Sequence, residues 1–216
     1  MSRLSGISDH DASLGARIAF FVTKRKLAKL AGLQTAAMLE PLRIYAHIPT
    51  LLSAYGGLER AESKLDMLSP RVRVLAELTA ATTVGCAYCI DLGSQIARRL
   101  GLGDQELLAL ADFERAACFS DVDKLVLRYA TAISRTPVAV SDELFEALRA
   151  QFDTAQLVAL THVVTLGNLR ARFNIALGIE ASGFSGFSGF SGSSGFSGFS
   201  GFSGNRVCAL PHPTAR

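Results

Sequence analysis

Two cysteines, Cys86 and Cys89, enclose Ala87 and Tyr88 and directly follow Gly85. Ser69-Pro70 upstream reads as an N-cap followed by a proline in the first turn of a helix. Gly85 reads as the stop of that helix, and Cys86 as the start of the next. In a first helical turn the unbonded backbone N–H groups and the helix dipole favour negative charge, so the thiolate is the form that gains. One thiol of a CxxC pair so placed is acidified by about one unit or more, which raises its reactive fraction at neutral pH. Residues three apart on a helix share a face, so the pair closes into a disulfide with little backbone movement. The chemistry in view is thiol–disulfide redox chemistry.

The elements that must position the pair are helical by period. One helical pattern covers residues 14–38, with an interruption at Gly32. Pro41 and Pro49 bracket a short segment, 42–47. Pro49 opens a helix to about Tyr55, where Gly56-Gly57 is expected to break it. Val72, Leu75, Ala76, Leu78 and Thr79 form one stripe, and Cys89, Ile90, Ile96, Ala97 and Leu100 another. Gly103-Asp104 caps a short helix. Ser120-Asp121-Val122-Asp123 is an acidic capping box ahead of a helix that includes Leu125, Val126 and Tyr129. Ser141 starts another short helix, and Asp153 caps a last long one that ends at Gly178. Strand-like alternation never runs beyond a few residues, so the expected fold class is all-α.

The chain has 216 residues, 49% of them hydrophobic, and a net charge of +3. That balance argues against a nucleic-acid surface, which needs a strong basic stripe. Lys24, Arg25, Lys26 and Lys29 cluster beside the apolar run 18–22 and are read as a solvated helix face rather than a membrane-touching one. Asp9 and Asp11 with several small polar residues do not form a signal peptide, and no segment is long enough to span a bilayer. With four cysteines and no export signal, the expected location is the reducing cytoplasm, where CxxC is more often catalytic or metal-binding than structural. No metal and no organic cofactor are expected: Cys118 and Cys208 lack partners at finger-like spacing, and His212 lies in a proline-bounded tail.

Three regions follow: an N-terminal helical extension, 1–39; a helical domain, 40–180; and a low-complexity tail, 181–216. From Gly183 to Gly204 the tail repeats Gly-Phe-Ser, with 192–194 as the variant triplet. Ordering so much glycine is entropically costly, and the tail is expected to be disordered. Its Cys208 is a candidate tethered thiol that would reach the CxxC pair of its own or a neighbouring subunit.

Leu68-Ser69-Pro70-Arg71, followed by Gly85-Cys86-Ala87-Tyr88-Cys89-Ile90-Asp91, resembles the carboxymuconolactone decarboxylase superfamily, in particular its alkylhydroperoxidase AhpD-like core. Pro41-Leu42-Arg43-Ile44-Tyr45-Ala46-His47-Ile48-Pro49 resembles the segment ahead of that core. Asn168-Leu169-Arg170-Ala171-Arg172-Phe173-Asn174 resembles its final helix. The resemblance covers roughly residues 40–180. It implies an all-helical domain that assembles into homo-oligomers and reduces a hydroperoxide substrate, with a dithiol reductant protein or a small thiol reopening the disulfide. It also implies that Cys89 meets the peroxide and Cys86 resolves the sulfenic acid. The helix dipole alone points the other way, to Cys86, and both assignments stay open here.

The chain departs from the family at the proton relay. The family's His four residues after the second cysteine is Gly93 here. Its Glu twelve residues before the first cysteine is Val74, and the His that sits before the second cysteine in some members is Tyr88. Replacement acids are sought nearby, since a general base must reach the thiol. Glu77, almost one turn beyond Val74, and Asp91, two residues past Cys89, are the candidates; Tyr88 is a candidate donor to a sulfenate or peroxide oxygen. Asp91 is equally a dipole stabiliser, and close to the sulfurs it would oppose thiolate formation. His162, Asn168 and Arg172 are read as packing or helix-end residues, and Cys118 as a buried thiol.

The favoured reading is a peroxidase of AhpD-like type working through Cys86 and Cys89. Two rivals stand beside it: a carboxymuconolactone decarboxylase-like lyase acting on a small acid, and a helical oligomer without catalysis.

Overall fold

Every regular element among the described residues is a helix. The structure, a computed structural model, describes residues 2–32 and 35–184. Most of the tail, with Cys208 in it, lies outside the described residues. The helices are α1 Leu14–Ala31, α2 Glu40–Tyr45, α3 Pro49–Glu62, α4 Pro70–Val84, α5 Ala87–Arg99, α6 Asp104–Ala109, α7 Asp121–Ser134, α8 Asp142–Arg149 and α9 Thr154–Ala176, with short 3₁₀ turns at Ala36–Leu39 and Leu110–Asp112.

Local chemistry sets most of the boundaries. Ser69 Oγ accepts from the Val72 amide at 3.2 Å with Pro70 in the first turn, so α4 starts where the sequence places it. Ser120 and Asp123 bond each other reciprocally at 3.1 and 3.0 Å, closing the capping box of α7. Gly32 adopts φ 72° and donates its N–H to the Ala28 carbonyl. A left-handed residue of this kind makes the expected interruption at Gly32 a full stop, so α1 ends at Ala31 and does not continue to Met38.

A second correction concerns Gly56-Gly57. Helix α3 runs straight through them to Glu62. Two interior glycines cost about 2 kcal/mol of helix propensity. Tertiary anchoring on either side outweighs this: Leu52 is buried, Tyr55 stacks on Tyr45 with ring centroids 4.6 Å apart, and Glu59 and Glu62 both bind Arg170.

Helix α4 is the central strut and is apolar on most of its circumference, as a helix packed on several sides must be. Val72, Ala76 and Ala80 pack with Val126, Ala130, Leu160, Val163 and Val164 of α7 and α9. Val74, Leu75 and Leu78 face the other way, onto Ala97 of α5 and Leu102, Phe119 and Leu127. Helix α9 crosses α4 closely because Gly167 has no side chain: a Cβ there would stand 3.2 Å from that of Ala80. The end of helix α1 packs on the second half of α5, with Ala31 fully buried and its carbonyl accepting from Gln95 Nε2 at 2.8 Å. Among the described residues, no helix is long and apolar enough to cross a membrane.

Candidate active site

The turn between α4 and α5 is built to present sulfur. Gly85 (φ 84°) ends α4, and Cys86 is the N-cap of α5, its Sγ accepting the Cys89 N–H at 3.2 Å. An N-cap side chain normally offers oxygen at this point; here sulfur takes the place, directly in the field of the helix N-terminus. Cys86 and Cys89 form a disulfide, with their Cα atoms 5.2 Å apart. Cys86 is 1% exposed, whereas Cys89 is half-buried. Both sulfurs sit in an apolar cluster with Met38, Ile44, Ala171 and Phe173.

A buried amide also enters that cluster, and sequence reasoning missed its role. Asn174 of α9, 3% exposed, donates Nδ2–H to Cys89 Sγ at 3.3 Å and approaches Cys86 Sγ at 4.0 Å. A signal was present: residues 160, 163, 164, 167, 171 and 174 lie on one buried helical face, and Asn174 is its polar member. Such a residue needs a buried partner, and the sulfurs provide one.

One turn back on the same face, about 6 Å along the axis, Arg170 holds a buried ionic cluster. Its Nε donates to Glu59 Oε1 at 2.8 Å, and its Nη2 binds Glu62 Oε2. Tyr55 is hydrogen-bonded in the same group, and its phenol is pushed well up by burial and then by Glu59. Burial pushes the Glu59 carboxyl up, but Arg170 outweighs it and the net shift is downward. Glu77 shows the opposite balance. Burial raises its carboxyl, Arg170 pulls it down, and Glu62 and Glu59 push it up again, leaving it above the ordinary carboxylate range. Arg170 is bound directly by Glu59 and Glu62, and its charge also reaches Glu77.

Of the other sequence-singled residues, Tyr88 shares the sulfur cluster. Tyr88 donates its hydroxyl to the Met38 carbonyl at 2.8 Å, so that O–H is already engaged. Asp91, 3% exposed, accepts the Ser182 and Phe184 amides at 3.0 and 2.9 Å. It holds the chain after α9 against α5. Asn168 Nδ2 donates to Ser134 Oγ, and Arg172 donates to the Ser134 carbonyl and Thr136 Oγ1, so both secure the end of α7. His162 lines a groove with Phe145, Arg149 and Val158 that none of the redox residues borders. Cys118 is half-buried against the Leu75 cluster.

The absent relay positions have a packing explanation. Val74 is 3% exposed among apolar neighbours, where a carboxylate would be stranded. A Cβ on Gly93 would stand 2.9 Å from Leu78 Cδ2, and Leu78 is itself 1% exposed. The closeness of α5 to α4 leaves no room for a side chain there unless Leu78 shifts. Among the described residues, no three His, Cys, Asp or Glu side chains converge to hold a metal ion.

Comparison with known proteins places the chain in a family. The model of the carboxymuconolactone decarboxylase family matches residues 49–132, the stretch that contains α3, α4 and the cysteine turn. The uncharacterized protein YnjA of Escherichia coli (strain K12) is 42% identical over 151 residues, covering 68% of this chain and 81% of YnjA. The crystal structure of an alkylhydroperoxidase AhpD core, an uncharacterized peroxidase-related protein from Ralstonia eutropha JMP134, superposes with a TM-score of 0.72 at 19% identity, over 85% of this chain and 94% of that one. The debrominase Bmp8 superposes equally well, with a TM-score of 0.72 at 16% identity over 84% and 92% of the two chains. At such identities the two structures establish the shared fold alone. The family match spans the helices that frame the cysteines, and YnjA carries the likeness over most of its own length: the chain belongs to the carboxymuconolactone decarboxylase family.

Proposed function

We propose that the chain reduces hydroperoxides by thiol–disulfide chemistry at Cys86 and Cys89. The observation that carries this reading is the pair itself: two sulfurs already bonded at a helix N-terminus, unequal in exposure, with a buried amide donating to the more exposed one. Exposure favours Cys89 as the attacking group and the enclosed Cys86 as the resolving one. The Cys89 thiolate attacks one peroxide oxygen, the O–O bond breaks, and the departing alkoxide takes a proton to leave as alcohol. Cys89 is then a sulfenic acid. The Cys86 thiol displaces its hydroxyl as water and closes the disulfide. A dithiol reductant reopens the pair by exchange. Asn174 donates to the negative sulfur, and Glu77, in the field of Arg170 one turn from Asn174, is the candidate proton acceptor.

The deciding experiment adds an organic hydroperoxide to the reduced protein and follows disulfide closure by stopped flow and the loss of two hydrogens by mass. Cys89→Ser should abolish peroxide consumption with the fold intact, while Cys86→Ser should stop at a sulfenic acid that dimedone traps. If neither thiol alkylates rapidly near neutral pH, the enzymatic reading fails and a helical oligomer without catalysis remains. Turnover of a lactone acid that survives both Cys→Ser changes would establish the lyase reading instead. Against the lyase stands the state of Arg170, whose charge is already committed to two carboxylates. The debrominase on the same fold supplies a further arm. A bromopyrrole that closes the disulfide where hydroperoxides do not would keep the dithiol chemistry and change its substrate.

Self-association belongs to the same proposal. The outer face of α1 leaves Leu14, Ile18, Phe21 and Val22 more than half exposed, an apolar stripe suited to a second copy of the chain. Sedimentation at micromolar concentration tests it, and a monomer would dismiss it.

A further inference from the structure

Beside the cysteine pair, α5 holds a segment of the chain in a way that reads its sequence. Asp91 Oδ2 accepts two amides, those of Ser182 and Phe184. Gly183 between them has φ 74°, a left-handed conformation that a side chain would strain. One carboxylate oxygen thus sits in a small nest of N–H groups that only a central glycine forms easily. The Phe184 ring is 6% exposed and meets Tyr88 edge-on, with centroids 5.8 Å apart. Tyr88 is itself fixed by its bond to the Met38 carbonyl. Ser182 is exposed and contributes only its N–H. The contacts therefore recognise a three-residue unit: an amide, a glycine and a phenylalanine.

That unit is Ser-Gly-Phe, and the chain carries it six times, at 182–184, 185–187, 188–190, 194–196, 197–199 and 200–202. The triplet 191–193 has Ser193 in place of the ring. We propose that Asp91 and Tyr88 form a receptor for Ser-Gly-Phe, and that the later copies in the chain's own C-terminal segment compete with the first copy for it. Nothing in the contacts distinguishes the copies except the length of chain back to the buried anchor Ile179. The entropic penalty for a longer loop grows only logarithmically, so near copies compete best and far ones are not excluded. Six tethered ligands for one site keep it occupied when any one is lost. Because Asp91 lies two residues past Cys89, and Phe184 shares the apolar cluster of both sulfurs, occupancy also holds the wall of the cysteine site in place.

Amide hydrogen exchange on the full-length protein tests this. In the parent chain the Ser182 and Phe184 amides should be the slowest of the repeat. In Phe184→Ala, protection should move to a later copy, first to Ser185 and Phe187. Those amides should exchange about tenfold more slowly than in a chain with all six repeat phenylalanines, at 184, 187, 190, 196, 199 and 202, changed to alanine, as expected for a pair of modest hydrogen bonds. The proposal is overturned if no later amide slows in Phe184→Ala. It is equally overturned if the amides of residues 182 and 184 stay protected in the six-alanine chain, which would show that the ring is not read.

Discussion

Asn174 and Cys89 meet across the interface of α9 and α5, with Nδ2 3.3 Å from Sγ. The same amide stands 4.0 Å from Cys86 Sγ, so one side chain from a distant part of the sequence serves both sulfurs. A hydrogen bond to the charged form of a group favours that form. Asn174 therefore adds to the helix dipole in stabilising a thiolate once the disulfide is opened.

Replacing Asn174 by Ala should leave the reduced pair less ionised. Loss of one donor to a charged group corresponds to about a tenfold slower alkylation near neutral pH. Iodoacetamide rates across a pH series, with melting curves to confirm the fold, would measure it. An unchanged profile would leave Asn174 a packing residue only.

Glu77 should make stability fall as pH rises. Burial and the neighbouring carboxylates raise its folded-state pKa above the ordinary 4.5. The folded state thus binds a proton that the unfolded state gives up. This contribution is complete below pH about 4.5 and is lost as pH climbs through the raised value. Glu77→Gln mimics the protonated acid, so it should match the parent protein near pH 4 and gain on it by pH 8. Urea unfolding at the two pH values checks the sign.

Asp123 should behave in the opposite sense. Burial pushes its carboxyl up, but Arg71, at 3.0 Å, and the Ser120 cap outweigh it and hold it below the ordinary 3.8. Its contribution is present above that value and lost as pH falls through the lowered one. Asp123→Asn should cost about 1–2 kcal/mol at pH 7, and the difference from the parent should shrink in acid. Denaturant midpoints at pH 7 and pH 3 would show it.

Restoring the family's histidine should fail on steric grounds. Gly93→His places its Cβ against Leu78 in a filled space, and overpacking of this kind costs about 1–3 kcal/mol. Combining it with Leu78→Ala, which alone costs about 2–5 kcal/mol, should lose less than the sum of the two. A thermal-denaturation double-mutant cycle reads the coupling, and strict additivity would contradict the contact.

The sequence by itself determined the helical class, the caps at Ser69, Gly85, Ser120 and Asp153, and the placing of two thiols at the start of α5. These are consequences of interactions within a few residues, and hydrophobic period and capping chemistry report them directly. The continuation of α3 through Gly56-Gly57 was not legible, because it depends on Tyr45 and Arg170, which lie outside that helix. The same holds for the surroundings of the sulfurs. Asn174 reaches them from 85 positions away, and Glu77 is set by Arg170, Glu62 and Glu59. Tyr88 turns to Met38 and Asp91 to the chain after α9. Which polar groups surround a thiol is decided by helix packing. Close approaches such as Gly167 to Ala80 and Gly93 to Leu78 fix the distance and register between helices, and only with those fixed does a side chain acquire its neighbours.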